Sequence, residues 1–142
     1  MKRRLLYIFI VSVLICFVSL LFWNINKKQT VAFIGAMDDE ISVIYDNLNN
    51  KKAFKKNNFV IITGTLGNKN IVLAKSGVGK VASSTTTQFI IDNYKPVYII
   101  NTGIAGSLSE SLKAGDIIIA DKMVQHDFDV SAFGNPKGYI DN

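Results

Sequence analysis

The sequence predicts an α/β domain, with helices on both faces of a sheet, preceded by one N-terminal transmembrane helix. From Thr30 onward, short runs rich in β-forming residues alternate with helical stretches, which is typical of a layered α/β domain. Before that point, Leu5 to Trp23 is a run of 19 residues without a charge. We therefore divide the chain into residues 1–28, a membrane anchor or signal segment, and residues 30–142, the domain.

The apolar run can be interpreted as a retained anchor or as a cleaved signal peptide. As a helix it would extend about 28 Å, close to the hydrocarbon thickness of a bilayer. A cleavage site of the Ala-x-Ala kind is missing near Trp23 and Ile25, which favours the anchor. Basic side chains before the run outnumber those just after it, so we expect the domain on the outer face of the membrane. Cleavage would instead make the protein secreted.

The net charge of +5 does not indicate a nucleic-acid partner. Five of the 16 basic residues precede position 29 and all 11 acids follow it, so the 11 basic and 11 acidic residues of the domain cancel. The four lysines at 51, 52, 55 and 56 are expected in a solvated loop. Cys16 is the one cysteine, which excludes an internal disulfide and a cysteine-based metal site.

The hydrophobic pattern predicts seven elements after Thr30. Gly67-Asn68 suits the turn of a β-hairpin, and Pro96 should end the second helix. We expect helices over 38–48 and 80–94, and strands over 31–34, 59–65, 70–75, 97–101 and 116–124.

Three acids follow the first predicted strand of the domain. They are Asp38, Asp39 and Glu40, and carboxylates are favoured at the start of a helix. Asp38 or Asp39 could cap the helix alone. Glu40 would then remain near the carboxyl end of a strand, where open α/β sheets bind ligands.

The glycine-rich segment 73–82 has three possible interpretations. A phosphate-binding P-loop fails because Ala74 and Val81 occupy positions that require glycine and a hydroxyl residue. A dinucleotide fingerprint matches the spacing of Gly77 and Gly79, but no acid ends the following strand. The remaining interpretation is a tight turn that either carries Val78 towards a ligand or is purely structural.

Two further segments could contribute to a site. Residues 101–107 are mostly small, which lets the backbone approach a flat ligand closely. His126, Asp127 and Asp129 could suggest a metal site, although a hydrogen-bonded structural cluster is the commoner arrangement.

Five ordered sequence blocks together resemble one family, the bacterial 5′-methylthioadenosine/S-adenosylhomocysteine nucleosidases of the nucleoside phosphorylase superfamily. The resemblance extends from Thr30 to Gly134. It implies a three-layer sandwich around a central mixed sheet. The blocks are Gly-Ala-Met-x-x-Glu from 35, Lys-Ser-Gly-Val-Gly-Lys-Val from 75, Ile-Asn-Thr-Gly-Ile-Ala-Gly from 100, Ala-Gly-Asp-Ile from 114 and His-Asp-x-Asp-Val-Ser-Ala-Phe-Gly from 126.

The resemblance also implies the site residues. Glu40 corresponds to the catalytic carboxylate that activates the attacking water, and Phe133 to an aromatic that reaches the neighbouring site of a homodimer. Ile104 stands where some members carry a hydroxyl residue, so a water contact through that side chain is not expected. Neither a metal nor an organic cofactor is implied. The implied substrate-binding residues are Ala36, Met37, Val78, Ile104, Ala105, Gly106 and Phe133.

The implied function is hydrolysis of the N-glycosidic bond of a thioribosyl nucleoside, with release of adenine. The family's Met-Glu and Ser-Asp motifs, which hold the ribose and protonate adenine, do not follow Gly134. We therefore expect the N-terminal half of a membrane-tethered nucleosidase. The alternative is a non-catalytic, membrane-anchored remnant that binds nucleosides.

Overall fold

The computed structural model describes residues 2–25, 28–56 and 59–139. The chain divides into two compact units, Met1–Ile104 and Ala105–Asn142. These units are not the two predicted segments, and the division into residues 1–28 and 30–142 stays a prediction. In chain order the elements are α1 (Lys2–Ile25), β1 (Thr30–Gly35), α2 (Asp38–Asn47), β2 (Asn49–Lys56), β3 (Phe59–Leu66), β4 (Lys69–Lys75), α3 (Lys80–Tyr94) and β5 (Tyr98–Asn101).

The first unit contains a mixed five-stranded sheet in the order β2-β3-β4-β1-β5. β1 runs parallel to both β4 and β5, whereas β3 is antiparallel to β2 and β4. The β3–β4 hairpin closes at Gly67-Asn68 with Leu66 opposite Lys69, as predicted. Helix α3 occupies the predicted residues and ends before Pro96.

The two faces of the sheet are covered by different helices. Ile90 of α3 belongs to one apolar cluster, which includes alternate residues of β1, β3 and β4. Ile41 of α2 belongs to the other cluster, which contains the intervening residues of the same strands. Because side chains alternate across a strand, the continuous apolar runs supply both faces at once. Tyr94 packs on the α3 side, where burial raises the pKa of its hydroxyl.

The expected transmembrane helix is contradicted. No helix among residues 2–25, 28–56 and 59–139 is long and apolar enough to cross a membrane. The location of the chain, including secretion after cleavage, stays a prediction.

The lysine-rich segment is a strand, so the prediction of a loop was wrong. Lys51, Lys52 and Lys55 lie exposed on β2, which pairs with β3 at the edge of the sheet. Backbone pairing overrides the low strand preference of lysine here. Charged side chains on an edge strand also disfavour pairing with another chain.

The strand predicted over 116–124 is absent from the described part of the second unit. Residues 105–139 contain one short 3₁₀ helix, Ser131–Phe133, and no strand. A strand requires a hydrogen-bonded neighbour, and no strand in this part of the unit supplies one. Ile117 and Ile119 are accordingly exposed rather than packed on a sheet.

Gly35 allows α2 to start close to the end of β1. A Cβ atom at this position would lie 2.7 Å from Ile41 Cγ2 and 3.1 Å from Glu40 Cβ. The Gly35 carbonyl accepts a hydrogen bond from the buried Ser76 backbone N–H at 2.9 Å, so the strand cannot easily move away. The absence of a side chain at position 35 therefore sets the spacing between β1 and α2.

We expect Gly35→Ala to lower the free energy of unfolding by about 1–3 kcal/mol, because the added methyl group overpacks the strand–helix contact. Urea unfolding followed by circular dichroism measures the change. Val43→Ala, at an exposed position of α2, is the control and should change stability by less than about 0.5 kcal/mol. A Gly35→Ala protein as stable as this control would contradict the packing account.

Candidate functional site

Three parallel strands end together at one edge of the sheet. Gly35 at the end of β1 lies opposite Lys75 at the end of β4, and Ile34 lies opposite Asn101 at the end of β5. Ligands of open α/β sheets bind outside the carboxyl ends of such strands. The segments that follow these three strands therefore form the candidate site.

Glu40 lies in the first turn of α2, and its carboxylate folds back over the segment that follows β1. Its Oε2 atom accepts hydrogen bonds from the backbone N–H groups of Ala36 at 2.6 Å and Met37 at 3.1 Å. These groups would otherwise be unpaired donors before the helix, and hydrogen bonds to a charged acceptor are stronger than neutral ones. The carboxylate is thus fixed beside the sheet edge.

The three acids have different tasks, although Asp38 or Asp39 could have capped α2 alone. Asp38 forms an ion pair with Lys75, whose Nζ lies 2.8 Å from both carboxylate oxygens. Glu40 itself accepts the N–H groups before the helix. Glu40 can still accept hydrogen bonds from a ligand after capping the helix, because an ionised carboxylate can accept about four hydrogen bonds.

The second carboxylate oxygen of Glu40 faces the segment after β5. The Ile104 backbone N–H approaches Oε1 at 3.4 Å, which is long for a hydrogen bond. A Cβ atom at Gly103 would lie 3.1 Å from the same oxygen. Oε1 therefore retains capacity to accept a hydrogen bond from a ligand or a water molecule.

Sequence reasoning missed the contribution of Thr102 and Gly103. The Thr102 hydroxyl donates to the Glu40 carbonyl at 3.1 Å, and glycine at 103 leaves room for the carboxylate. The signal available in the sequence was a small polar residue followed by glycine after a predicted strand. Their pairing with Glu40 required knowledge that β5 lies next to β1.

The other predicted site residues of the first unit lie in segments that follow strands of the same edge. Ala36 and Met37 directly follow β1, and Ile104 follows β5 and is 85% exposed. Val78 lies in the turn after β4 and is 78% exposed. Gly77 and Gly79 flank it with φ angles of +83° and +105°, a conformation that favours glycine.

The remaining predicted site residues belong to the second unit. Ala105 and Gly106 are exposed at its start. Phe133 ends the short 3₁₀ helix, is exposed, and is followed by Gly134 in a left-handed conformation. Their roles in a site stay predictions.

The segment considered as a metal site contains a local hydrogen-bonded turn. Asp129 Oδ1 accepts bonds from the Ser131 hydroxyl at 2.6 Å and from the Ser131 backbone N–H at 3.0 Å. These bonds stabilise the charged form and hold the pKa of the Asp129 carboxyl below its ordinary value. In the described ranges, no group of three His, Cys, Asp or Glu residues is placed to hold a metal ion.

We expect Ser131→Ala to raise the pKa of Asp129 towards its ordinary value, because the substitution removes the hydroxyl bond and leaves only the backbone bond. Carboxyl ¹³C shifts followed by NMR between pH 2 and 7 measure this pKa. Ser131→Thr keeps the hydroxyl and is the control that should leave the pKa low. An unchanged pKa in Ser131→Ala would refute the assigned cause.

Comparison with known proteins identifies the family. A family model described as the phosphorylase superfamily matches residues 30–141. The chain belongs to this superfamily.

Similar curated proteins are nucleosidases by name. The 5′-methylthioadenosine/S-adenosylhomocysteine nucleosidase of Pseudoalteromonas translucida is 40% identical over 112 residues, which cover 79% of this chain and 48% of that protein. The nucleosidase of Buchnera aphidicola is 41% identical over 119 residues, covering 84% of this chain and 47% of that protein. The chain thus spans about half the length of the curated relatives it matches.

Solved structures give the same result. The Neisseria meningitidis nucleosidase in complex with methylthio-immucillin-A superposes with a TM-score of 0.76 at 42% identity, covering 79% of this chain and 48% of that one. The Colwellia psychrerythraea nucleosidase in complex with adenine also gives 0.76, at 33% identity, covering 80% and 47%. The similar proteins are nucleosidases by name, and the matched part of this chain shares the fold of about half of each solved structure.

Proposed function

We propose that this chain takes part in hydrolysis of the N-glycosidic bond of 5′-methylthioadenosine or S-adenosylhomocysteine, with Glu40 as the residue that activates water. The observation that carries the proposal is the fixed Glu40 carboxylate at the edge where three parallel strands end. The names of the relatives and the adenine and nucleoside-analogue complexes of the similar structures support the substrate class.

The reaction requires a base beside the anomeric carbon of the ribose. A water molecule forms a bond from its oxygen to that carbon while the bond from the carbon to adenine breaks, and the water proton passes to a carboxylate. Glu40 Oε1 suits this task, because Oε2 is occupied by the Ala36 and Met37 N–H groups while Oε1 accepts one long contact. We assign protonation of the leaving adenine to none of the described residues between 30 and 139.

Further residues have proposed roles in substrate contact. Ala36, Met37 and Ile104 adjoin the Glu40 carboxylate through their backbone N–H groups. Val78 would form an apolar wall, and its exposed side chain is available for that contact. Ala105 and Gly106 would line the nucleoside pocket. In a homodimer, Phe133 would cover the alkylthio group of the substrate bound to the neighbouring copy. Its exposed ring permits this role.

We expect Glu40→Gln to lower adenine release by about 10²–10⁴-fold, because the amide cannot accept the proton of the attacking water. Asp39→Asn is the matched control. It makes the same chemical change one residue away, on an exposed side chain, and should leave the rate within about twofold.

The rate of adenine release from 5′-methylthioadenosine is the measurement. It is made on the 142-residue chain, and on a chimera that adds the part of the Neisseria nucleosidase that the chain does not match. A rate in either form that Glu40→Gln removes and Asp39→Asn keeps supports the proposal. Equal rates for the two variants, or nucleoside binding without adenine release in both forms, would contradict it.

A further inference from the structure

We infer that Thr102 is a positioning residue for Glu40, holding the catalytic carboxylate in register with the end of β5. The inference depends on the proposed function, because it adds a residue to the same site. Thr102 is not one of the proposed substrate contacts. It follows β5 directly and is partly buried.

Thr102 joins two elements that are distant in the chain. Its side-chain hydroxyl donates to the Glu40 carbonyl at 3.1 Å, and its backbone N–H donates to the Ile34 carbonyl at 2.9 Å. The first bond reaches the first turn of α2, and the second extends the pairing of β1 with β5. One residue therefore fixes α2 relative to both parallel strands.

The bonds to the Glu40 carboxylate and to its backbone carbonyl differ in what they can fix. Ala36 and Met37 directly follow β1, so their N–H groups hold the carboxylate beside β1 and do not reach the segment after β5. Thr102 and Ile104 contact Glu40 from the other side, after β5. Since the Ile104 contact is long, the Thr102 hydroxyl is the better-formed bond from this side.

Two other contacts also tether the start of α2. Asp38 pairs with Lys75, and the Gly35 carbonyl accepts the Ser76 N–H. Both come from the end of β4. The Asp38 side chain is 78% exposed, and exposed ion pairs constrain geometry only weakly. Because both contacts come from β4, they do not fix Glu40 relative to the segment after β5. The Thr102 hydroxyl bond does.

Thr102→Val and Thr102→Ser separate the hydroxyl from the shape of the side chain. Valine keeps the branched shape and removes the donor, whereas serine keeps the donor. We expect Thr102→Val to lower kcat by about three- to tenfold, the rate equivalent of one lost hydrogen bond, and to change KM by less than about twofold. Thr102→Ser should restore kcat to within about twofold of the unsubstituted protein.

The experiment compares both variants with Glu40→Gln in the chain and in the chimera described above. It also follows hydrogen exchange of the Ala36 amide in the 142-residue chain by NMR, which needs no enzymatic activity. Lower kcat and faster Ala36 exchange in Thr102→Val, both reversed in Thr102→Ser, would support the positioning role.

Three results would overturn the inference. The first is a Thr102→Val protein with unchanged kcat and unchanged Ala36 exchange. The second is lower thermal stability with an unchanged kcat, which indicates a structural role alone. The third is failure of Thr102→Ser to restore either readout. If Glu40→Gln keeps its rate, the proposed function fails as well, whereas loss in Glu40→Gln without an effect of Thr102→Val refutes only the role of Thr102.

Discussion

The Glu40 carboxylate accepts hydrogen bonds from the backbone N–H groups of Ala36 and Met37, and the candidate site depends on this contact. The contact serves the fold and the chemistry together. It satisfies two donors where β1 turns into α2, and it holds one carboxylate oxygen so that the other is directed towards the segment after β5. A carboxylate oriented in this way loses little conformational freedom when it positions a water molecule.

The mixed sheet explains why this contact lies at a site. A hairpin between β3 and β4 followed by a helical connection places β4, β1 and β5 parallel, so that their carboxyl ends meet at one edge. Helices α2 and α3 cover opposite faces of the sheet. Small residues are needed where the elements converge, since side chains at Gly35 or Gly103 would meet Ile41 or Glu40.

Much of this arrangement could be predicted from the sequence, because it depends on local patterns. Hydrophobic periodicity and the residues that favour turns or end helices predict three features. They are the bounds of α3, the turn at Gly67-Asn68 and the position of Glu40 after a buried strand. The five ordered sequence blocks also predict the superfamily, which the family model confirms. By contrast, β2 is rich in lysine and forms only because β3 offers a partner, and residues 116–124 form no strand because the described part of their unit offers none. The contact between Thr102 and Glu40 spans 62 residues, so no local pattern could indicate it.

The central claim, that the Glu40 carboxylate is bound to the segment after β1, can be tested directly by NMR. The amide proton shift of Ala36 and the carboxyl ¹³C shift of Glu40 are followed together across pH in the unsubstituted chain. The structure predicts a strongly downfield Ala36 amide at neutral pH that moves upfield in step with protonation of Glu40. An Ala36 amide that does not respond when Glu40 is protonated would contradict the account.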